Sequence, residues 1–210
     1  MDPQRPVWYA AYGSNLLPER FSSYLGGSPA DGAFGAHRPA PDSTPPRRSR
    51  RSTLRHPMFF AGWSVRWSGP VAFVELTPVV DAEFPCRLYL VSVAQLMHVA
   101  CAENQVESVR FDGIDSLEPG AWLDLSIDPD GVSTRAKYNA LLRLPDVDDV
   151  PVFTLTTARA LTRGEPPAAY VDTIRRGLTS LGLSDDQARA VLAAAVRSTT
   201  SSSPSGRVAD

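Results

Sequence analysis

The 210-residue chain balances 21 Lys and Arg against 23 Asp and Glu for a formal net charge of −2, so its overall electrostatics draw it neither to nucleic acid nor to a membrane surface. Apolar residues make up 43% and charged residues 21%, the balance of a globular protein long enough for one domain with a real core. Two cysteines, Cys86 and Cys101, make no disulfide framework, and no signal-like or membrane-spanning apolar run stands out, which predicts a cytoplasmic protein.

In chain order, Val7-Trp8-Tyr9-Ala10-Ala11 is a short apolar and aromatic run that suits a buried strand. It breaks at Gly13-Ser14-Asn15, ahead of the helix-like Leu17-Pro18-Glu19-Arg20-Phe21. A strand ending this way leaves backbone N–H groups unpaired at the sheet end, beside a hydroxyl and a carboxamide. Such a loop can hold a carboxylate or a polarised carbonyl oxygen. The same spacing also suits a plain strand-to-helix turn with Asn15 as N-cap. The helix is predicted from about Pro18 to Tyr24, ended by Gly26-Gly27.

From Ser28 to Thr53 the composition shifts to Pro, Ser, Arg and Ala. Thr44-Pro-Pro-Arg-Arg-Ser-Arg-Arg-Ser-Thr53 could meet an anionic partner. Without interleaved aromatics it reads instead as a solvated, flexible loop over 28–53, placed where it could act as a substrate-facing lid. Met58–Ala61, Ser64–Trp67, Val71–Leu76 and Arg87–Val91 read as strands, with Gly69-Pro70 a turn. Alternation puts Glu75 on the face of Phe73, either as a second buried carboxylate or as an exposed one.

Ser92-Val-Ala-Gln95 matches a capping box. In the helix it opens, Leu96, Val99, Ala100 and Glu103 share one face. A carboxylate on an apolar face is costly unless hydrogen-bonded, and desolvation raises its pKa, the conditions for a general base near neutral pH. The alternative is a half-exposed glutamate bonded to backbone at the helix end. His98 and Cys101 point away from Glu103 and read as a packing or surface histidine and an inert thiol.

Further strands are predicted at Trp122–Leu125, Tyr138–Leu144 and Val150–Leu155, with Asp128–Gly131 a turn. Pro166-Pro167 open an amphipathic helix with Tyr170, Ile174, Leu178 and Leu181 inward, closed by Gly182. Ser184–Gln187 is a second capping box, opening a helix with Ala188, Val191, Leu192 and Ala195 inward. From Ser198 to the end, 198–210, the composition is that of a disordered tail. The whole reads as an α+β protein, a compact and partly closed mixed β-sheet or barrel with flanking helices, in one domain over 1–197. No nucleotide-binding glycine loop, internal repeat or metal-ligand cluster is legible.

Tyr12-Gly13-Ser14-Asn15-Leu16, following a short apolar strand near the N-terminus, resembles the signature of the γ-glutamylcyclotransferase-like family. Its second hallmark is a catalytic glutamate about seven residues after a core leucine, a spacing that Leu96 and Glu103 keep. Pro167, Tyr170, Ile174, Gly177 and Gly182-Leu183 also look like the family's closing segment. The likeness covers roughly Val7 to Arg197 and is weakest over 28–53. Glycine often follows the glutamate in that family; here Asn104 stands, with Glu107 a fallback one turn on.

The resemblance implies cleavage of a γ-glutamyl amide by attack of its own α-amine, releasing 5-oxoproline, with no cofactor or metal. It makes Glu103 the general acid and base and the backbone N–H groups of Gly13, Ser14 and Asn15 the oxyanion donors. Tyr12 becomes a wall or hydroxyl donor, and Leu16 completes the substrate-binding stretch. A specialised γ-glutamyl metabolite as substrate, or a non-catalytic binding protein of the same fold, are the alternatives. A covalent role for Ser14 is a rival, although no histidine is marked as its base. The implied partner is a small molecule, not nucleic acid or membrane.

Overall fold

The first strand, β1 (Pro6–Ala11), is buried on both faces from Val7 onward, which explains its apolar run without polar alternation. A computed structural model describes residues 1–128, 134–135 and 137–201. Within it β1 lies inside a six-stranded sheet, with β2 (Arg48–Leu54), β5 (Phe84–Ser92), β6 (Trp122–Asp124), β7 (Ala140–Val147) and β8 (Val150–Thr156) in the order β2-β5-β1-β8-β7-β6. Pairing is antiparallel except between β1 and β8, where Trp8 lies opposite Val152 and Tyr9 opposite Phe153. The sheet is therefore mixed, and it is open rather than closed into a barrel. A separate hairpin, β3 (Met58–Ser64) with β4 (Gly69–Val74), covers part of one face.

Alternate side chains of β1 feed two cores. Val7, Tyr9 and Ala11 pack with Phe21 and Leu25 of α1 (Pro18–Gly26) and with Leu96, Val99 and Ala100 of α2 (Val93–Asn104). Trp8, Ala10 and Tyr12 pack with Phe60 and Phe73 of the hairpin, Ile174 and Leu178 of α3 (Ala168–Thr179), and Leu192 of α4 (Asp185–Ser201). Each large side chain buried this way stabilises the fold by roughly 1.5–3 kcal/mol. The two faces thus converge on the end of β1, where the Gly-Ser-Asn stretch begins.

Both predicted capping boxes form. Ser92 Oγ accepts the Gln95 N–H at 3.1 Å while Gln95 Oε1 accepts that of Ser92 at 3.0 Å. Ser184 and Gln187 exchange the same pair of bonds at 3.2 and 2.9 Å.

Four expectations are corrected. Residues 48–54 are strand β2, not loop: the backbone pairs with β5 from Arg48↔Leu90 to Leu54↔Phe84. Its side chains are mostly exposed until Leu54, so no period-2 pattern marks it, and arginines on an edge strand discourage pairing with other chains. Residues 65–68 are the turn of the β3–β4 hairpin rather than a strand, with Ser68 at φ 56°. Asn15 does not cap α1: Leu17 is its N-cap, without a side-chain bond, and Ser14–Leu16 form a 3-10 turn. Finally, α4 continues through Ser201, past the composition change at Ser198. Thr199 is drawn into the core there, its Oγ1 accepting the Phe60 N–H at 3.0 Å and donating to the Ala195 carbonyl at 2.9 Å. Residues 202–210 of the predicted tail, and 129–131 of the predicted Asp128–Gly131 turn, lie outside the described residues.

α3 reaches the 3-10 turn only because residue 177 lacks a side chain. A Cβ there would sit 2.5 Å from Leu16 Cβ and 2.8 Å from the Leu17 nitrogen, and backbone cannot step aside cheaply. Ala gains about 1 kcal/mol of helix propensity over Gly, but forced overpacking costs typically 1–3 kcal/mol or more. Gly177→Ala is therefore expected to lower the urea midpoint of unfolding, and an unchanged or raised midpoint would contradict the close approach.

Candidate active site

The two stretches singled out in the sequence meet at a hydrogen bond. Asn15 Nδ2, in the 3-10 turn after β1, donates to Glu103 Oε1 at 2.7 Å and lies 3.2 Å from the Tyr9 hydroxyl. Glu103 is half-buried on the last turn of α2. Its carboxylate is held by the Asn15 side chain, and it stands close enough to Tyr24 that, after burial, its charge raises that phenol's pKa. Asn15 is buried, and its Oδ1 accepts no hydrogen bond among the described residues.

Between these groups lies a recess of about 20 Å³, bounded by Gly13, Ser14, Asn15, Glu103 and several tyrosines. A space of that size takes about one water-sized group. The Tyr12 hydroxyl donates to the Leu155 carbonyl at 2.6 Å and so serves as wall. Tyr170 Oη accepts the Ala72 N–H at 3.1 Å, and a Cβ on Gly13 would stand 3.0 Å from it. Tyr138 donates to the Ala72 carbonyl at 3.2 Å, and Tyr89 donates to the Asn15 carbonyl at 2.9 Å. All six tyrosines of the chain thus line or brace the site. Burial, first of all, pushes the phenols of Tyr9, Tyr12, Tyr24, Tyr138 and Tyr170 above their ordinary range, with the Glu103 carboxylate adding to each. They are neutral hydrogen-bonding walls at physiological pH.

Of the residues predicted for the site, Tyr12, Gly13, Ser14, Asn15 and Glu103 come together. Leu16 does not. The 3-10 turn rotates its side chain into the core beneath Gly177, and it is fully buried. Its carbonyl accepts Arg87 Nε at 2.9 Å. Glu75 is no second site carboxylate: its side chain is 40% exposed and ion-paired with Arg163. Glu107 is exposed and lines neither the recess nor the chamber beside it. His98 packs α2 onto the preceding helix through Nε2, 3.0 Å from the Tyr24 carbonyl. Burial raises the pKa of Cys101, in keeping with an inert thiol.

Sequence reasoning missed Tyr9, Tyr138 and Tyr170 as lining groups, since each reads as ordinary core; the available signal was that a buried tyrosine hydroxyl needs a partner. It also missed Asn104, whose Nδ2 donates to the carbonyls of Ala100 and Tyr138 at 2.9 and 3.0 Å while Oδ1 accepts the Tyr138 N–H at 2.8 Å. The residue after Glu103 therefore ties the end of α2 to the segment that carries Tyr138.

Beyond the recess opens an outer chamber of about 240 Å³ that also touches Ser14, Glu103, Tyr138 and Tyr170. Arg20, only 2% exposed, stands in its wall. Its Nη2 donates to Tyr24 Oη at 2.6 Å, and its Nη1 lies 2.5 Å from His37 Nε2.

The arrangement is an open mixed sheet with a Gly-Ser-Asn turn at the end of an interior strand, bonded to a glutamate on a capped helix. It is the γ-glutamylcyclotransferase-like fold. A solved gamma-glutamyl cyclotransferase superposes with a TM-score of 0.53 at 15% identity, covering 98% of this chain and 95% of that one. An uncharacterised protein of Homo sapiens superposes with a TM-score of 0.51 at 15% identity, covering 90% and 88%. In sequence, the chain is 33% identical over 210 residues to a protein of Arabidopsis thaliana named histone deacetylase 5, matching 90% of this chain. The match spans only 31% of the plant protein. No protein-family model matches the chain.

Burial, then the Arg20 guanidinium, pushes His37 from 6.5 down to about 4. Its Nε2 is thus an acceptor occupied by Arg20, which disqualifies it as a base for Ser14. Between those two pH values the unfolded chain binds a proton that the folded chain refuses. His37 therefore contributes stability that is present above about pH 6.5 and lost as pH falls toward 4. Its NMR ring signals are expected to titrate with a midpoint near 4; a midpoint near 6.5 would mean that Arg20 does not face it.

Proposed function

We propose that this protein cleaves γ-glutamyl amides by cyclisation. The substrate's α-amine nitrogen attacks its own γ-carbonyl carbon, the amide C–N bond breaks, and 5-oxoproline and a free amine leave. Supporting this reading above all is the 2.7 Å hydrogen bond that joins the glutamate of α2 to the turn after β1, beside a recess sized for one polar atom. The shared fold agrees with it.

The reaction needs geometry more than exotic chemistry. Folding the substrate so that amine meets carbonyl supplies about 7–11 kcal/mol of the barrier through proximity alone. The ammonium is held by the Glu103 carboxylate and Asn15 Oδ1, two acceptors that neighbour each other. Glu103 takes one proton from it and returns that proton to the departing nitrogen. Because a neutral donor, the Asn15 amide, holds the carboxylate, it keeps acceptor capacity for this exchange. The carbonyl oxygen occupies the recess, where N–H groups at the start of the 3-10 turn meet the developing charge. No cofactor enters this scheme.

The substrate in this reading is a small molecule, handled in the cytoplasm. Among the described residues no helix is long and apolar enough to cross a membrane.

Glu103→Gln preserves shape and the contact with Asn15 but cannot shuttle a proton. Wild type is expected to release 5-oxoproline from at least one member of a panel of γ-glutamyl dipeptides and amines, scored by mass spectrometry. The folded variant is expected to be slower by about 10²–10⁴-fold. Undiminished turnover by a folded Glu103→Gln protein would remove the base from the scheme, and no product from any panel member would remove the scheme.

A further inference from the structure

The outer chamber is strongly cationic for a space beside a catalytic carboxylate. Arg20, Arg66 and Lys137 line it, and Glu103 is its acidic residue among the described residues; Arg135 also stands on its wall. The cations occupy different sides: Arg20 comes from α1, Arg66 from the turn of the β3–β4 hairpin, and Lys137 from the segment before β7. Lys137 Nζ is placed by the Asn104 carbonyl at 3.1 Å. Arg20 is buried, its neighbours are a phenol, a serine hydroxyl and a histidine, and among the described residues its Nε has no hydrogen-bond partner. A buried guanidinium without a carboxylate partner leaves charge to be met by something that enters.

The cations also act on one another and on His37. Burial and then Arg20 push the Arg66 guanidinium below its ordinary range, and Arg20 and Arg66 both help to keep His37 neutral. Indole surface lines the same space: Trp63 is 51% exposed, and Trp67 packs on Tyr170 with ring centroids 5.0 Å apart.

A γ-glutamyl substrate answers part of this charge. Its ammonium pairs with Glu103, and its α-carboxylate satisfies one of Arg20, Arg66 and Lys137. Arg135 is already engaged, so two of those three positive charges remain for the other end of the substrate. Resting on the cyclotransferase reading, we propose that the outer chamber is the leaving-group subsite and that it selects amines bearing a dianionic group, either a phosphate monoester or a pair of carboxylates. The indoles cover the apolar stem that links this group to the departing nitrogen, and Arg20, Arg66 and Lys137 hold its oxygens through charge-assisted hydrogen bonds.

Two measurements on the full chain test this. In the first, kcat/KM for 5-oxoproline release is compared across γ-glutamyl-ethylamine, γ-glutamyl-alanine, γ-glutamyl-aspartate and γ-glutamyl-O-phosphoethanolamine. At least one dianionic leaving group is expected to exceed the alanine substrate by about tenfold or more, the worth of one added charged hydrogen bond. Which of the two wins separates carboxylates from phosphate. In the second, inorganic phosphate at pH 8 and low salt is titrated calorimetrically into wild type, Arg66→Gln and Lys137→Gln. Wild type is expected to bind, and each variant to bind about tenfold more weakly.

Equal or better turnover of the ethylamine or alanine substrate overturns the subsite and leaves the cyclotransferase reading intact. If no substrate gives 5-oxoproline, that reading falls, and phosphate binding judges the anion site alone. Binding absent from wild type, or unchanged in both variants, overturns it.

Discussion

Everything at the site depends on how a half-buried carboxylate is satisfied. A glutamate at the end of an apolar helix face costs free energy unless a donor meets it, and here the donor comes from another element. Asn15 arrives from the turn after β1. That requirement fixes the neighbourhood. β1 must stop abruptly so that the turn can face α2, and the capping box at Ser92 and Gln95 sets where α2 begins and hence where its twelfth residue, Asn104, ends it. α3 must press on the turn from behind, which only a glycine at 177 permits. The hydrogen bond of 2.7 Å between Asn15 and Glu103 is the point at which these separate demands agree.

What could be read from the sequence was whatever is encoded locally. β1 was legible because a strand buried on both faces must be apolar throughout, and α2 because a capping box declares its own start. The meeting of Gly13-Ser14-Asn15 with Glu103 needed the resemblance as well, since no local rule joins residues so far apart in the chain. Leu16 was misassigned because belonging to a motif says nothing about where a side chain points; one 3-10 turn carries it into the core. β2 was illegible for the opposite reason to β1. It is exposed on nearly every residue, so its pairing is written only in the backbone. Arg20 was invisible because arginine is rarely buried, and nothing local announces the phenol, hydroxyl and imidazole that surround it.

Position 104 shows how a side chain can secure a helix end. Asn104 remains helical, and the left-handed turn that closes α2 falls on the next residue, Gln105 at φ 54°. A non-glycine residue there costs on the order of 1 kcal/mol. Three hydrogen bonds from the Asn104 side chain, each worth about 1 kcal/mol net, offset that cost. They also do something glycine cannot: they fasten the segment carrying Tyr138 to the helix carrying Glu103. Two walls of the recess are thereby tied together, which suits the proposed reaction, one that draws its rate from positioning.

Arg20 and Glu103 are best understood together. One phenol stands beside both: Tyr24 accepts from the guanidinium at 2.6 Å, and after burial the Glu103 carboxylate does most to raise its pKa. Charge on Arg20 and on Glu103 thus meets at a single hydroxyl, in surroundings where the effective dielectric is low. In the proposed reaction the proton that Glu103 takes up leaves the substrate ammonium, so both charges vanish together and the net charge facing Arg20 and Arg66 does not change. An anionic group seated in the proposed subsite is then held as strongly before that step as after it. Interactions equally strong throughout tighten binding without accelerating the chemistry. The cationic chamber, in this reading, acts on substrate choice, while the rate rests on the positioning that Asn15 and Glu103 provide.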